Sequence, residues 1–333
     1  MQIKMSYSKK MKSAPVLAAL LVSLACHDQG PQAKCVADCW TTRAPMLTVR
    51  SGFGIGAING IVYTVGGALP SASPHSAEAT LEAYDPGTNK WTTKAPMPTR
   101  RAGAQVGVVN GLLYAVGGTP AGQVDPLPAG TVEAYDPVTN TWTTRQSIPA
   151  PPFGAGVGVV NGILYAVGGV APSSSGFTVT GTLQAYDPIA DTWTTKAPMP
   201  TPRLGFAVGV VNGILYAVGG DAAGTVEAYD PATKTWTTRQ PMLTARSDLD
   251  VGVVNGILYA VGGSPSDNAD GIPKIVNTVE AYDPATNAWT TRTPMITARM
   301  GLGVAVVDGV LYAIGGRPPS PADITGANEA YRP

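Results

Sequence analysis

Ten residues after five of the six tryptophans that punctuate this chain stands an arginine: Arg50, Arg101, Arg203, Arg246 and Arg299. A guanidinium stays charged at any ordinary pH and offers five donors in a planar fork, so this set is the densest chemistry in the sequence. After Trp142 the same position is Pro152. Two residues before a recurring tyrosine stand Glu82, Glu133, Glu227, Glu280 and Glu329, and the unit that lacks the arginine also lacks this glutamate, carrying Gln184 instead. The joint loss reads as an Arg–Glu pair within each unit. Guanidiniums free to hold an acidic ligand are the other reading, and a paired arginine still has donors to spare. A second candidate set departs from the repeat. Twelve and fourteen residues after tryptophan the chain normally carries Gly or Ala, but Gln105 breaks this once, and Asp248 with Asp250 breaks it twice. In a strand these two carboxylates share a face beside Arg246. They read either as a solvated pair or as an acid contacting a polar ligand, with general-base chemistry within reach.

Other chemistry is scarce. The only histidines are His27 and His75, and the only cysteines are Cys26, Cys35 and Cys39. Histidine-rich metal sites and Ser-His-Asp catalysis are therefore not expected, nor is any cofactor. Lys+Arg and Asp+Glu number 22 each. With no basic surplus to neutralise phosphates, a nucleic-acid partner is not expected. Charged residues make up 13% and apolar ones 44%, which permits a large core.

The elements that position these residues follow from an internal repeat. Tryptophans at 40, 91, 142, 193, 236 and 289 are spaced by 51, 51, 51, 43 and 53 residues. Gly-Gly pairs beginning at 66, 117, 168, 219, 262 and 315 keep the same spacings, and Tyr84, Tyr135, Tyr186, Tyr229, Tyr282 and Tyr331 complete the register. Between these marks run Val-, Leu- and Tyr-rich segments too short for helices. Asn-Gly, or Asp308-Gly309 in the last unit, predicts a type I′ hairpin turn, and Asp-Pro-x-Thr a Pro-initiated turn. Four short strands per unit, six units in a row, predict an all-β, six-bladed propeller over residues 40–333.

With its Gly-Gly doublet, Tyr and Trp at these spacings, the segment resembles the kelch-repeat family. The last unit stops after its third strand, and residues 40–46 supply the missing outer strand, so the ring is expected to close there. The recurring Trp, Tyr and Gly-Gly then serve blade packing. The basic residues three after each Trp (Arg43, Lys94, Arg145, Lys196, Arg239 and Arg292) sit on outer edges, where charge blocks edge-to-edge association.

On this fold the five arginines begin the innermost strands and are expected to ring one mouth of the central channel. In some kelch adaptor proteins the arginine at this motif position grips carboxylates of a partner, so the resemblance implies a site for acidic groups. The loops after the Gly-Gly pairs share that face, with separations to the next Tyr of 17, 17, 17, 9, 19 and 15. Length variation on one face is where propellers place recognition. The longest carries Asp267, Asn268, Asp270, Gly271 and Lys274 without calcium-loop spacing, so no metal is expected there. The leading expectation is a non-enzymatic module, a monomer, binding a protein or glycan ligand. The alternative is a sugar-acid enzyme similar to the kelch-type sialic acid mutarotases, with Asp248 or Asp250 moving a proton. A copper oxidase of the related propeller type lacks its histidine ligands here.

Residues 1–25 read as an export signal: Lys4, Lys9, Lys10 and Lys12 precede the apolar stretch Ala14–Ala25, which is too short to span a bilayer. Val22-Ser23-Leu24-Ala25-Cys26 resembles a relaxed lipobox, with Cys26 as the lipidated residue and that lipid as the only expected membrane anchor. Residues 26–39 form a linker. An envelope or periplasmic location leaves Cys35 and Cys39 to pair. A straight strand would hold them about 13 Å apart, too far for a bridge. Aligned on Trp40, however, Cys35 falls where Pro86 or Pro137 starts a turn, so a bridge would restore that bend. Two free thiols in a frayed linker remain the alternative.

Overall fold

A computed structural model describes residues 35–70, 77–120, 130–150, 154–173, 176–265, 274–319 and 324–333. The export signal, Cys26, His27, His75, Pro152, Asp267, Asn268, Asp270 and Gly271 lie outside them. Among the described residues there is no helix, hence none long and apolar enough to cross a membrane.

Six four-stranded antiparallel sheets form the blades. Blade 1, for example, runs outward from the axis as Gly54–Ile58, Ile61–Val65, Leu81–Asp85 and Lys90–Lys94. Blades 2 to 5 begin with the inner strands Gln105–Val109, Gly156–Val160, Ala207–Val211 and Asp250–Val254. In blade 6, Gly303–Val307, Val310–Ile314 and Asn328–Arg332 are completed by Cys39–Arg43 from the other end of the propeller, with Trp40 opposite Tyr331.

Local chemistry explains each blade. The Asn59-Gly60 turn has φ of 50° and 79°, both positive as a type I′ turn requires. Packing between blades has a steric cause on the inner strand: a Cβ on Gly107 would lie 2.7 Å from Leu164 of the next blade, so glycine there lets that leucine seat without shifting. The core accordingly lies between neighbouring blades. At the closing seam, Val62, Tyr84 and Trp91 of blade 1 pack with Ala305, Val307 and Tyr312 of blade 6.

Three sets of hydrogen bonds repeat from blade to blade. Each tryptophan Nε1 donates to a backbone carbonyl of the preceding blade, as Trp91 does to Ala44 (2.8 Å) and Trp40 to Thr293 (2.9 Å). The second glycine of a doublet donates its N–H to the carbonyl of the next blade's arginine: Gly67 to Arg101 (2.9 Å) and, across the seam, Gly316 to Arg50 (3.0 Å). A tyrosine hydroxyl donates to an Asn or Asp two residues before Trp, as Tyr84 does to Asn89 at 2.7 Å. The seam between blades 6 and 1 thus uses the same bonds as an interior junction such as that between blades 1 and 2.

Candidate functional site

The arginines come first, because the structure places them elsewhere than at a channel mouth. Arg50, Arg101, Arg203, Arg246 and Arg299 are each no more than 2% exposed. Each pairs with the glutamate of its own blade: Arg50–Glu82 at 2.9 Å, Arg101–Glu133 at 2.7 Å, Arg203–Glu227 at 2.8 Å, Arg246–Glu280 at 3.4 Å and Arg299–Glu329 at 3.3 Å. Four of them spend further donors on loop carbonyls; Arg50 Nη1 donates to Gly66 and Thr80 at 2.7 and 2.9 Å. The expected ring at the channel mouth is therefore corrected, and of the two readings of the arginines the Arg–Glu pair is the one that holds. Inside a blade a guanidinium must be paired or it costs several kcal/mol, and the glutamate with its neighbouring carbonyls meets that need. Burial pushes each arginine's pKa down while its glutamate pulls it back up. In blade 3, Gln184 replaces the pair by bonding Ala150, Nε2 donating to the carbonyl at 2.8 Å and Oε1 accepting from the N–H at 3.3 Å.

The mouth itself is a cavity of about 280 Å³ on the propeller axis, walled by the first residues of all six inner strands. Its rim was invisible in the sequence. The residues twelve after Trp form a belt of backbone hydrogen bonds in which Asp248 donates to Gly205 (2.7 Å), Gly301 to Asp248 (2.8 Å), Gly52 to Gly301 (3.0 Å) and Gly103 to Gly52 (2.7 Å). Every member has positive φ, from 53° at Asp248 to 68° at Gly103. This is why glycine recurs there: the left-handed backbone, not side-chain packing, demands it. The one signal available was the recurrence of Gly at that register.

Asp248 is thus the only non-glycine in the described belt. Its left-handed conformation corrects the expectation that Asp248 and Asp250 share a face of one strand; the strand begins at Asp250. Both nonetheless line the cavity, together with Gln105. Asp248 leans toward blade 4, where a Cβ on Gly205 would lie 3.2 Å from its Oδ1. Asp250 reaches the other way: its Oδ2 accepts from Val304 N–H of blade 6 at 2.6 Å and its Oδ1 from Val251 N–H at 2.8 Å. Asp250 is half-buried in the cavity wall. Burial consequently pushes its carboxyl up to about 7, against the pull of the two N–H bonds. Asp248 is exposed on the cavity side, where partial withdrawal from water raises its carboxyl and a weak bond from Ser247 opposes the rise. No Lys, Arg or His is among the described lining residues. Chemically, the cavity is a partly open wall of mixed polar and apolar character carrying two carboxylates and one amide, suited to cationic or hydrogen-bond-donating groups rather than to acids.

Comparison with known proteins agrees with this architecture. The Kelch motif matches residues 50–98, 100–147, 151–200, 202–243 and 245–296. The chain belongs to the kelch-repeat family. It is 31% identical over 264 residues to Kelch-like protein 26 of Danio rerio, covering 79% of this chain and 35% of that protein. With Kelch-like ECH-associated protein 1A of Danio rerio it shares 43% identity over 126 residues, 38% of this chain and 19% of that one. With Kelch-like protein terF of Aspergillus terreus it shares 28% over 232 residues, 64% and 49% of the two chains. The kelch chain thus spans from about a fifth to about half the length of these relatives. The solved structure of YjhT superposes with a TM-score of 0.73 at 18% identity, covering 86% of this chain and 95% of that one, a likeness of fold.

Proposed function

We propose that this kelch propeller is an exported, envelope-anchored binding module whose cavity end takes a protein or glycan ligand. The observation that carries the reading is the pair Asp248 and Asp250, set where the other blades carry glycine or other uncharged residues and facing a cavity with no described cation. A ligand that inserts a basic side chain or an amino group there would satisfy carboxylates that otherwise carry a desolvation cost. The acidic ligand expected from the arginines loses its donors, since these serve the blades. Export and lipidation at Cys26 rest on the basic and apolar run of residues 4–26.

Peptide and glycan arrays probed with the mature protein test the ligand class. Hits rich in Lys, Arg or amino sugars are expected, weakening as salt screens the charges and lost in Asp248→Asn/Asp250→Asn. Acidic hits indifferent to that double variant would overturn the reading. Intact mass and N-terminal sequencing test export; an acylated N-terminus at Cys26 is expected, and an unprocessed chain would refute it.

A second reading, a sugar-acid enzyme, draws on Asp250 alone: a carboxyl near 7 in the wall of a cavity can both give and take a proton. The buried arginines leave such a substrate's carboxylate without an evident clamp. Turnover of a sugar hit, lost in Asp250→Asn, would favour this reading over plain binding.

A further inference from the structure

The junction at which Cys39–Arg43 joins blade 6 differs from the other five in one respect. Elsewhere the third and outer strands are joined by a tight turn, as residues 86–89 join them in blade 1. In blade 6 no turn links Asn328–Arg332 to Cys39–Arg43, and the outer strand is held by ladder pairing and by the Trp40 bond to Thr293. A disulfide between Cys35 and Cys39, with Cα atoms 5.8 Å apart, stands where that turn would be.

What the bridge encloses is the working part of the junction. Asp38 has φ of 48°, the conformation shared by Asn89, Asn140, Asp191 and Asn287 at the same register. Its Oδ1 accepts from the Tyr331 hydroxyl at 2.5 Å and from Thr293 N–H at 3.2 Å. One carboxylate oxygen therefore ties the third strand of blade 6 to blade 5, and the tyrosine bond holds the Asp38 carboxyl below its ordinary range. Blade 4 supplies the contrast. Lys234 occupies this position there, and its outer strand is kept in place by the covalent turn, with Lys234 N–H bonded to Asp230 O at 2.7 Å. Blade 6 has no such turn, so fixing Asp38 falls to the disulfide. Val36 and Ala37 are exposed and both cysteines only half-buried, so the bridge is open to a reductant.

We propose that Cys35–Cys39 is a redox-sensitive latch on ring closure. A dithiol reductant attacks one sulfur as thiolate, the Cys35–Cys39 bond breaks, and a mixed disulfide forms. The reductant's second thiolate then displaces the remaining cysteine. Two electrons and two protons pass to the protein, leaving two thiols, while the reductant closes to its own disulfide. Asp38 is then free to leave its left-handed conformation, and the outer strand is released from Asn328–Arg332, exposing that edge.

Hydrogen exchange on the full chain, read by mass spectrometry with and without dithiothreitol, tests the latch. Reduction of the folded protein is expected to speed exchange at residues 39–43 and 328–332 at least tenfold while blades 2 and 3 stay unchanged. Cys35→Ser/Cys39→Ser should show the fast seam without reductant and no response to it. Asp38→Ala should speed the seam several-fold with the disulfide intact. Seam exchange that ignores the reductant, or that rises equally in every blade, would overturn the proposal. The reductant arm uses the unaltered chain, so it decides the matter even where a variant fails to fold.

Discussion

The arginines inside the blades and the aspartates at the axis are both unusual charges in a β-propeller, and they behave in opposite ways. Each arginine recurs at one register, lies within a blade and meets a glutamate of its own sheet. The aspartates occur in one blade only, at positions that the described ring otherwise gives to uncharged residues, and no cation is among the described residues that line their cavity. The difference teaches that a charge repeated with the fold belongs to the fold. A charge that breaks the repeat, and is left to bear its own desolvation, is the better mark of recognition. Blade 5 holds both kinds, and its Arg246–Glu280 pair is the longest of the five, with Arg246 Nε and Nη1 and Glu280 Oε2 lacking hydrogen bonds.

The comparison breaks first, if it breaks, at the arginines. Arg203→Ala leaves Glu227 as a buried, unpaired carboxylate and should cost about 3–5 kcal/mol in urea unfolding. A loss below about 1 kcal/mol would mean the pair is not structural. Arg246→Ala should cost clearly less than Arg203→Ala, since its bonds are fewer and longer. Gln184→Glu in blade 3 makes the converse test. It puts a carboxylate where no described arginine waits, with one oxygen toward the Ala150 carbonyl, and should cost about 3 kcal/mol.

At the axis the expected effects are smaller and depend on pH. Asp250 has its folded pKa raised from 3.8 to about 7. Its stabilising contribution is therefore fully present below 3.8 and lost as pH rises through 7. Between pH 5 and 8 the propeller should lose on the order of 2 kcal/mol, less than full linkage would give because water reaches the carboxylate through the cavity. Asp250→Asn should flatten that dependence; a wild-type stability independent of pH over this range would remove the claim. The smallest expected effect is a gain: Asp248→Gly relieves a left-handed non-glycine and should stabilise by about 1 kcal/mol. The same change should weaken any ligand held by the cavity, separating recognition from folding at one residue.

How much of this was legible beforehand differs between the two sets. The pairing of Arg50 with Glu82 could be read from the joint loss at Pro152 and Gln184, because a repeat acts as its own set of mutants. Asp248 and Asp250 stood out as departures from the repeat. Their placement was misjudged, since nothing in the local sequence says that the strand starts only at Asp250 or that the glycines before it form a belt. That Cys35 and Cys39 lie on a bend was visible from the register of Trp40, whereas the role of Asp38 inside it was not.

By itself the sequence determined what is local or periodic: four short strands per unit, the Asn-Gly turns, six blades and the strand that completes the last one. Those follow from backbone propensity and from a spacing that repeats every 43 to 53 residues. Only the tertiary structure decided which way charge points. An arginine at the start of an inner strand turns into its blade because the glutamate and the loop carbonyls that satisfy it come from segments up to 34 residues away. The cavity belongs to no single segment at all. It exists because six strand beginnings, spread over about 250 residues of chain, are brought round one axis, and a property of that closure cannot be read along a line.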